Sequence, residues 1–558
     1  MTQTENTQRQ SDEASPPGED SIHPSRLHQF AQLLSANWLL CVLVFGIALG
    51  FDLYRLGSPS IWFDEAFSVE LARQPLPLLW HIIWGPEPNM ELYYLFLHFW
   101  LGLTGLLGFN PVEFVVRLPS AIFAALASVM VFLLGRRYLG LVAGITGAGL
   151  FTFNYLQLMY AQQTRAYSMQ LLLICIAWYA LFAILTREAH TKRWWACFII
   201  ATTLAVYAHL FSLLILFAQV IAFGGLLILP GPWRDTAHRR LRTFIVSLLV
   251  IGVLIIPMLL ESLRGAKTAW LPVPHLHEIV NLFQLITTSS DIYLLILFVF
   301  CACAVLLALL PHTPDSGLLL ERITFYRPGD RQSALQIKQF LPVAFALVCW
   351  FFVPIIFSYV VSQSSIHLFS SRYLVTVLPP LFLLVGLAIA ALRWRVVQVA
   401  LVLALFMIAL YYVPVYYRSA QVEDWNTAVP WLEQRYQPGD GLVCFDNDVE
   451  QGCQIAVEYY LHAYPSSGAH FSGDSPGAFS WANFGPVNPA AGSAAAVDAR
   501  VLALYAAQHP RLFYIIGRVQ TDAQAAQVQA AQKWLDGHYR LLGRIHTPTV
   551  TISLYATS

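Results

Sequence analysis

Two adjacent carboxylates, Asp64 and Glu65, stand in the run SIWFDEAFS, flanked by Trp62, Phe63 and Phe67. They follow the first long apolar stretch of the chain at once. Carboxylates on partly desolvated ground can hold protons more tightly and act as general bases. The competing reading is structural: Asp64 caps a short helix over 65–73, which Pro75 then follows. Residue types alone leave both readings open, with capping the commoner of the two.

Further along, single cations interrupt apolar sequence. Arg117 precedes the second apolar stretch, Arg165 lies in LMYAQQTRAYSMQ, His209 in VYAHLFSLL, and Arg372 beside Tyr373 in SSRYLVTVLPP. Taken singly, an arginine there snorkels to water or lipid phosphate, and a histidine is more often packed than catalytic. Taken together, these groups could form a cationic pocket for a phosphorylated lipid headgroup. A sugar bonded to a lipid phosphate already has a good leaving group. Its transfer needs one base for the acceptor hydroxyl and cationic donors for the departing phosphate. No glycine-rich phosphate loop is evident, in keeping with a lipid donor rather than a nucleotide sugar.

The elements that would position these residues belong to a membrane. Of 558 residues, 57% are hydrophobic and 11% charged, against roughly 45–50% and about 25% in soluble domains. The 16 Trp, 25 Tyr and 36 Phe suit lipid interfaces and sugar-binding surfaces. With 32 basic and 32 acidic residues there is no net field to favour nucleic acid. Residues 1–36 are polar and read as a disordered tail. Apolar stretches near 37–55, 118–135, 141–159, 168–186, 194–209, 210–229, 244–261, 291–310, 340–361, 374–392 and 396–415 predict about eleven transmembrane helices.

The segment 78–108 is expected to lie along the outer interface or to re-enter, with Trp80, Trp84, Tyr93, Tyr94 and Trp100 at headgroup level. With that parity and the N-terminus inside, fifteen basic residues fall in cytoplasmic connectors (among them Arg136, Arg187, Arg234, Arg322, Arg327 and Arg393). Against them, the outer positions hold Arg117, Arg165, Arg264, Lys267 and Arg372. That is the asymmetry the positive-inside rule demands, and one extra crossing would reverse it. The expected location is the plasma membrane, with a cytoplasmic N-terminus.

After residue 415 the pattern changes to alternating helix and strand signals, such as GLVCF, QIAVEYYLHAY, RLFYIIG and AQAAQVQAAQKWL. The expectation is an all-α polytopic membrane domain over 37–415 and a small extracytoplasmic α/β domain over 416–558. Cys444 and Cys453 bracket CFDNDVEQGC in that second domain, and form either a disulfide or two half-buried thiols. The other six cysteines lie in apolar stretches and read as small hydrophobes.

The order SIWFDEAFS, NMELYYLFLHFW, EFVVRLPSAIFAALASVMVFLLGRRYLG and YAQQTRAYSMQLLL resembles bacterial membrane glycosyltransferases of the GT-C class. More narrowly, it is similar to the protein mannosyltransferase and aminoarabinose transferase group, glycosyltransferase family 39 and its relatives. The likeness continues through YAHLFSLLILFAQ and SRYLVTVLPPLFLLVG to EDWNTAVPWLEQRYQPGD. It implies an inverting enzyme that moves a sugar from a polyprenyl-phosphate carrier to an acceptor hydroxyl on the outer membrane face. The acceptor would be lipid, glycan or protein. It also implies catalytic roles for Asp64 and Glu65, with Asp64 the base, and carries the family's arginine onto Arg117. Where many relatives have Gln-Glu-Ala-Arg, this chain reads Gln162-Gln163-Thr164-Arg165, so the acidic partner is absent. Where many have His-Pro-Pro or Lys-Pro-Pro, it reads Pro88-Asn89-Met90-Glu91, with no lysine. No cofactor is firmly implied, and nothing in the sequence supports a divalent metal. The alternative reading is a non-catalytic transporter of lipid-linked sugars, which would need similar spans and basic pockets. Such transporters often carry paired broken helices in repeated halves, and no repeat of fixed period is present.

Overall fold

The computed structural model describes residues 26–186, 190–262, 271–309, 331–445, 452–487, 493–519 and 521–557. Arg187, Arg264, Lys267, Arg322 and Arg327, and residues 1–25 of the expected tail, lie outside the described residues. The first helix, α1 (Arg26–Leu53), begins eleven residues inside the stretch read as tail. Val44–Ser558 form one compact unit, so the helical bundle from Val44 onward and the C-terminal sheet are not separate bodies.

All eleven apolar stretches are helical. Among the described residues, seven helices are long and apolar enough to cross a membrane. These are α5 (Glu113–Tyr138), α8 (Tyr167–Leu185), α11 (Arg234–Ser262), α13 (Asp291–Leu309), α14 (Arg331–Val361, from Phe340), α15 (Leu378–Ala390, with the 3₁₀ turn Ser371–Val377 before it) and α16 (Arg395–Ser419). The bent pair α6 (Leu141–Thr152) and α7 (Tyr155–Ala161), meeting at 63°, makes an eighth if counted as one span. In α1 (its apolar part Trp38–Leu53), α9 (Thr191–Ala208) and α10 (Ser212–Ile228) the helix falls short of the ~20 residues of a full crossing. An eleven-residue helix, α12 (Leu276–Ile286), was not expected. The chain is a multi-pass membrane protein.

Helices approach closely where side chains are smallest. A Cβ at Gly135 would lie 2.6 Å from the Gly144 backbone, and one at Gly386 would lie 2.7 Å from the Ala143 carbonyl. The backbones of α5, α6 and α15 therefore touch, which packs membrane helices without a hydrophobic driving force between them.

Between α1 and α5 lie three shorter helices: α2 (Phe63–Arg73), α3 (Leu76–Ile83) and α4 (Glu91–Leu106). At 16 residues α4 does not reach crossing length, in accord with the interfacial reading. Trp80 is half exposed, as an interface anchor should be, whereas Tyr93 and Tyr94 are wholly buried. The headgroup placement of those two tyrosines is thus corrected: they face inward, beneath α2 and α5.

The C-terminal part opens with α17 (Trp425–Glu433) and builds a mixed sheet in the order β1 (Gly441–Phe445), β4 (Arg511–Gly517), β6 (Val550–Ala556), β5 (Arg540–His546). β1 runs parallel to β4, and the other pairs are antiparallel. A two-stranded ribbon, β2 (Phe479–Ser480) and β3 (Gly485–Pro486), lies apart. Helix α18 (Gly452–Ala463) follows β1, α19 (Ala499–Ala506) precedes β4, and α20 (Asp522–His538) starts on a capping box made by Thr521 and Gln524. Cys444 on β1 is joined to Cys453 on α18, their Cα atoms 6.0 Å apart, so the disulfide alternative holds. Ile61, Phe67 and Tyr94 pack in one core with Phe513, Ile515 and Ile552. The sheet and the first loop therefore share their hydrophobic interior.

Candidate functional site

The residues singled out in the sequence gather at the end of the bundle covered by the sheet. Helix α2 begins at Phe63 with Trp62 in the N-cap position, and no side chain caps it. The capping reading of Asp64 is therefore corrected: Asp64 and Glu65 both sit in the first turn, where the helix dipole favours negative charge. Consecutive residues on a helix do not face the same way. The two carboxylates accordingly have separate environments.

Glu65 points inward and is fully buried. Arg117 grips it twice, Nε to Oε1 at 2.8 Å and Nη2 to Oε2 at 2.7 Å. The Thr164 amide donates a third bond to Oε1 at 2.7 Å. Arg117 spends its remaining donors on the carbonyls of Leu56, Pro59 and Ser60. Neither residue lines the cavity. Together they tie the loop after α1 to α5 and to the turn before α8.

Asp64 lines a cavity of about 1130 Å³. Its Oδ2 lies 3.2 Å from Arg372 Nη1 and 3.8 Å from Arg165 Nη2. Arg165 also donates from Nη1 to the Asp64 carbonyl and to Ser68 Oγ, both at 3.1 Å, while its Nε has no partner among the described residues. The hydroxyls of Tyr94 and Tyr167 are likewise buried without a hydrogen bond. Tyr373 lines the cavity and stacks on Phe211, with ring centroids 4.0 Å apart. His209 does not line it. Its ring is fully buried beside Tyr167 and Tyr373, Nδ1 accepts from the Phe211 amide, and Nε2 has no partner among the described residues. Arg165, Arg372, Tyr373 and Asp64 thus converge, His209 sits behind them, and Arg117 and Glu65 are elsewhere.

The opposite wall was not anticipated. Glu423, Arg518 and the β5–β6 turn from His546 to Thr551 close the cavity from the C-terminal side. The Arg518 guanidinium lies 3.9 Å from the centre of the Phe63 ring and 3.5 Å from Glu423 Oε1. Glu423 Oε2 accepts from the Phe63 amide at 3.2 Å and from Trp425 Nε1 at 2.6 Å. Burial pushes the Glu423 carboxyl up to about 7. This strut ends on the residue next to Asp64. The acid of EDW was its sequence signal, while the non-glycine left-handed turn at Arg518 (φ 55°) shows only in the structure. Among the described residues, no group of three or more His, Cys, Asp or Glu is placed to hold a metal ion.

The sequence model described as dolichyl-phosphate-mannose-protein mannosyltransferase matches residues 94–260, which run from α4 to α11 and include Arg117, Arg165 and His209. No curated protein matches the chain. Among solved structures, ArnT from Cupriavidus metallidurans in the apo state is 13% identical, with 94% of this chain and 98% of that one covered at a TM-score of 0.55. The same protein bound to undecaprenyl phosphate is 12% identical over 93% and 98%, also at 0.55. The archaeal oligosaccharyltransferase AglB from Archaeoglobus fulgidus, in complex with an inhibitory peptide and a dolichol-phosphate, is 13% identical over 93% and 74%, at 0.45. The resemblance read from the motifs therefore holds: this multi-pass chain has the ArnT-like fold of GT-C glycosyltransferases, and its residues 94–260 carry the pattern of the mannosyltransferase family.

Proposed function

We propose that the protein is an inverting glycosyltransferase that moves a sugar from a polyprenyl-phosphate carrier to an acceptor hydroxyl. The observation that carries this reading is the Asp64 carboxylate at a cavity wall, with the guanidinium groups of Arg372 and Arg165 at 3.2 and 3.8 Å. Around them are buried donors without partners: Arg165 Nε and the hydroxyls of Tyr94 and Tyr167. Buried polar groups are normally satisfied, so such a cluster suits an anion that brings its own acceptors. Two further supports are the ArnT structure bound to undecaprenyl phosphate, which has this fold, and the mannosyltransferase pattern over residues 94–260.

Asp64 takes the proton of the acceptor hydroxyl. The freed oxygen attacks the anomeric carbon from the side opposite the phosphate, the carbon–oxygen bond to phosphate breaks, and the sugar inverts. Arg165 and Arg372 hold the phosphate as its charge develops, with Tyr373 shaping the wall beside them. Entry of the phosphate would draw the arginines from Asp64 and leave it free to accept a proton. Glu65 and Arg117 act one step removed, by fixing the turn that carries Asp64, and His209 backs Tyr373.

The same reading places the catalytic end on the outer membrane face, with residues 1–36 in the cytoplasm and 416–558 outside. The excess of basic residues in the connectors placed inside supports this, as does the Cys444–Cys453 disulfide, since such bonds persist in oxidising compartments.

The test is transfer by purified protein from a polyprenyl-phosphate sugar. Asp64→Asn should lower the rate by ~10²–10⁴-fold, the usual contribution of a general base, with melting temperature unchanged. Near-normal transfer by that variant would refute the assignment of the base. A periplasm-active reporter fused after Ser558 should be active, and activity of a cytoplasmic reporter there would overturn the orientation.

A further inference from the structure

A second hollow, of about 610 Å³, opens on the flank of the bundle between α1 and α16. Its floor is α1 at Gly46 and Gly50, one helical turn apart, with Val413 and Pro414 opposite. A Cβ atom at either glycine would meet nothing within 4 Å, so the hollow exists because α1 has no side chains there. The same dipeptide finishes the hollow on both sides, Tyr54-Arg55 in the turn just after α1 and Tyr417-Arg418 in the last turn of α16. The two tyrosine rings meet edge to face with centroids 4.9 Å apart, and the Tyr417 hydroxyl donates to the Phe51 carbonyl at 2.6 Å. Arg55 and Arg418 are exposed, and among the described residues neither is paired with a carboxylate.

An apolar slot closed at one end by two uncompensated guanidinium groups has the polarity of a lipid. From Gly46 to Leu53 the helix rises ~10 Å, about a third of a ~30 Å hydrocarbon core, and the turn beyond it carries Arg55 further toward the leaflet surface. We propose that this slot binds an anionic phospholipid, one acyl chain over Gly46 and Gly50 and the phosphate between Arg55 and Arg418. A zwitterionic headgroup carries its own ammonium, which offsets the attraction, whereas an anionic one leaves both arginines to be neutralised. The slot also touches the anchors of the catalytic arginine. Gln162, three residues before Arg165, donates to the carbonyls of Asp52 and Tyr54 at 2.8 Å and accepts from the Tyr416 hydroxyl at 2.9 Å. A lipid seated there therefore steadies the ends of α1 and α16 between which Gln162 is held.

The test is native mass spectrometry of the full chain in detergent, titrated with phosphatidylglycerol and phosphatidylcholine of identical acyl chains. A basic residue near an anionic headgroup contributes ~1 kcal/mol, or about fivefold, so the wild type should prefer phosphatidylglycerol by ~25-fold. Arg55→Gln with Arg418→Gln should bring the preference near parity, while Arg372→Gln in the catalytic cavity should leave it intact. Gly50→Leu fills open space without a clash, and should reduce phosphatidylglycerol binding at least fivefold at an unchanged melting temperature. Equal binding of the two lipids by the wild type would overturn the proposal. So would a preference lost in Arg372→Gln but kept in the double variant, which would mean that the lipid enters the catalytic cavity. A protein dimer dispersed by Gly50→Leu, with no lipid preference, would assign the slot to a second copy and likewise defeat it.

Discussion

Asp64 and Glu65 are neighbours in the chain and opposites in surroundings. Around Glu65 every charge and nearly every donor is matched: three hydrogen bonds reach the carboxylate, and Arg117 fills its remaining capacity with backbone carbonyls. Around Asp64 the counts do not close, and buried hydroxyls and an arginine Nε are left over. Saturated buried ion pairs hold shape, because removing one partner leaves an unpaired charge in low dielectric. Unsaturated clusters beside a cavity can hold a ligand. The contrast separates structure from chemistry more sharply than residue type does.

The sharpest way to break this contrast is to amidate each carboxylate in turn. Asp64→Asn should reduce transfer by ~10²–10⁴-fold with little change in melting temperature. Glu65→Gln should do the reverse in kind: it strands Arg117, costs about 3–5 kcal/mol of stability, and should be read first in thermal unfolding. If Glu65→Gln stays folded and loses transfer as completely as Asp64→Asn, the division of labour is wrong. Next in size, Arg372→Ala should lower kcat/KM for the lipid donor by ~10–100-fold, as expected when one charge-assisted bond to phosphate is lost. An effect confined to KM would mean that the bond is equally strong before and during transfer.

Smaller again is Arg518→Ala. It removes the cation from the Phe63 ring, an interaction of ~0.5–2 kcal/mol, and should cut kcat several-fold with donor KM nearly constant. Such a result would mark the far wall as a positioning device. The smallest expected effect is at His462 on α18, whose Nδ1 lies 2.9 Å from Glu70 on α2. The hydrogen bond to Glu70 holds its pKa above the ordinary histidine value, against the opposing effect of burial. Stability from this pair is thus full below the ordinary value and is lost as pH rises through the raised one. The side chain is about half exposed, so the amplitude should stay below ~1 kcal/mol. Thermal unfolding measured from mildly acidic to alkaline pH should flatten in His462→Gln.

Much of this was legible without coordinates because lipid imposes long apolar periodicity, which is why all eleven stretches were found as helices. The cations were legible for the converse reason: a charge in an apolar stretch is conspicuous. The different surroundings of Glu65 with Arg117 and of Asp64 were not, since an acidic pair at a helix start reads alike whether it faces inward or outward. Tyr93 and Tyr94 failed by the same ambiguity, an aromatic being equally at home in a core and at an interface. The far wall of the cavity was out of reach, because Phe63 and Glu423 are 360 residues apart in sequence.

That separation has a consequence for synthesis. The Phe63 amide, the Ile61 amide and Ser60 Oγ are bonded to Glu423 and Tyr460, with sequence separations of 360, 399 and 400. Tyr460 belongs to the helix that the disulfide fastens to β1. A ribosome making ~5–20 residues per second emits Asp64 tens of seconds before the groups that orient it. During that interval the loop carrying Asp64 lacks the bonds that fix its start. Under the proposed function the nascent chain is therefore born inert, and competence arrives only with the last quarter of the chain.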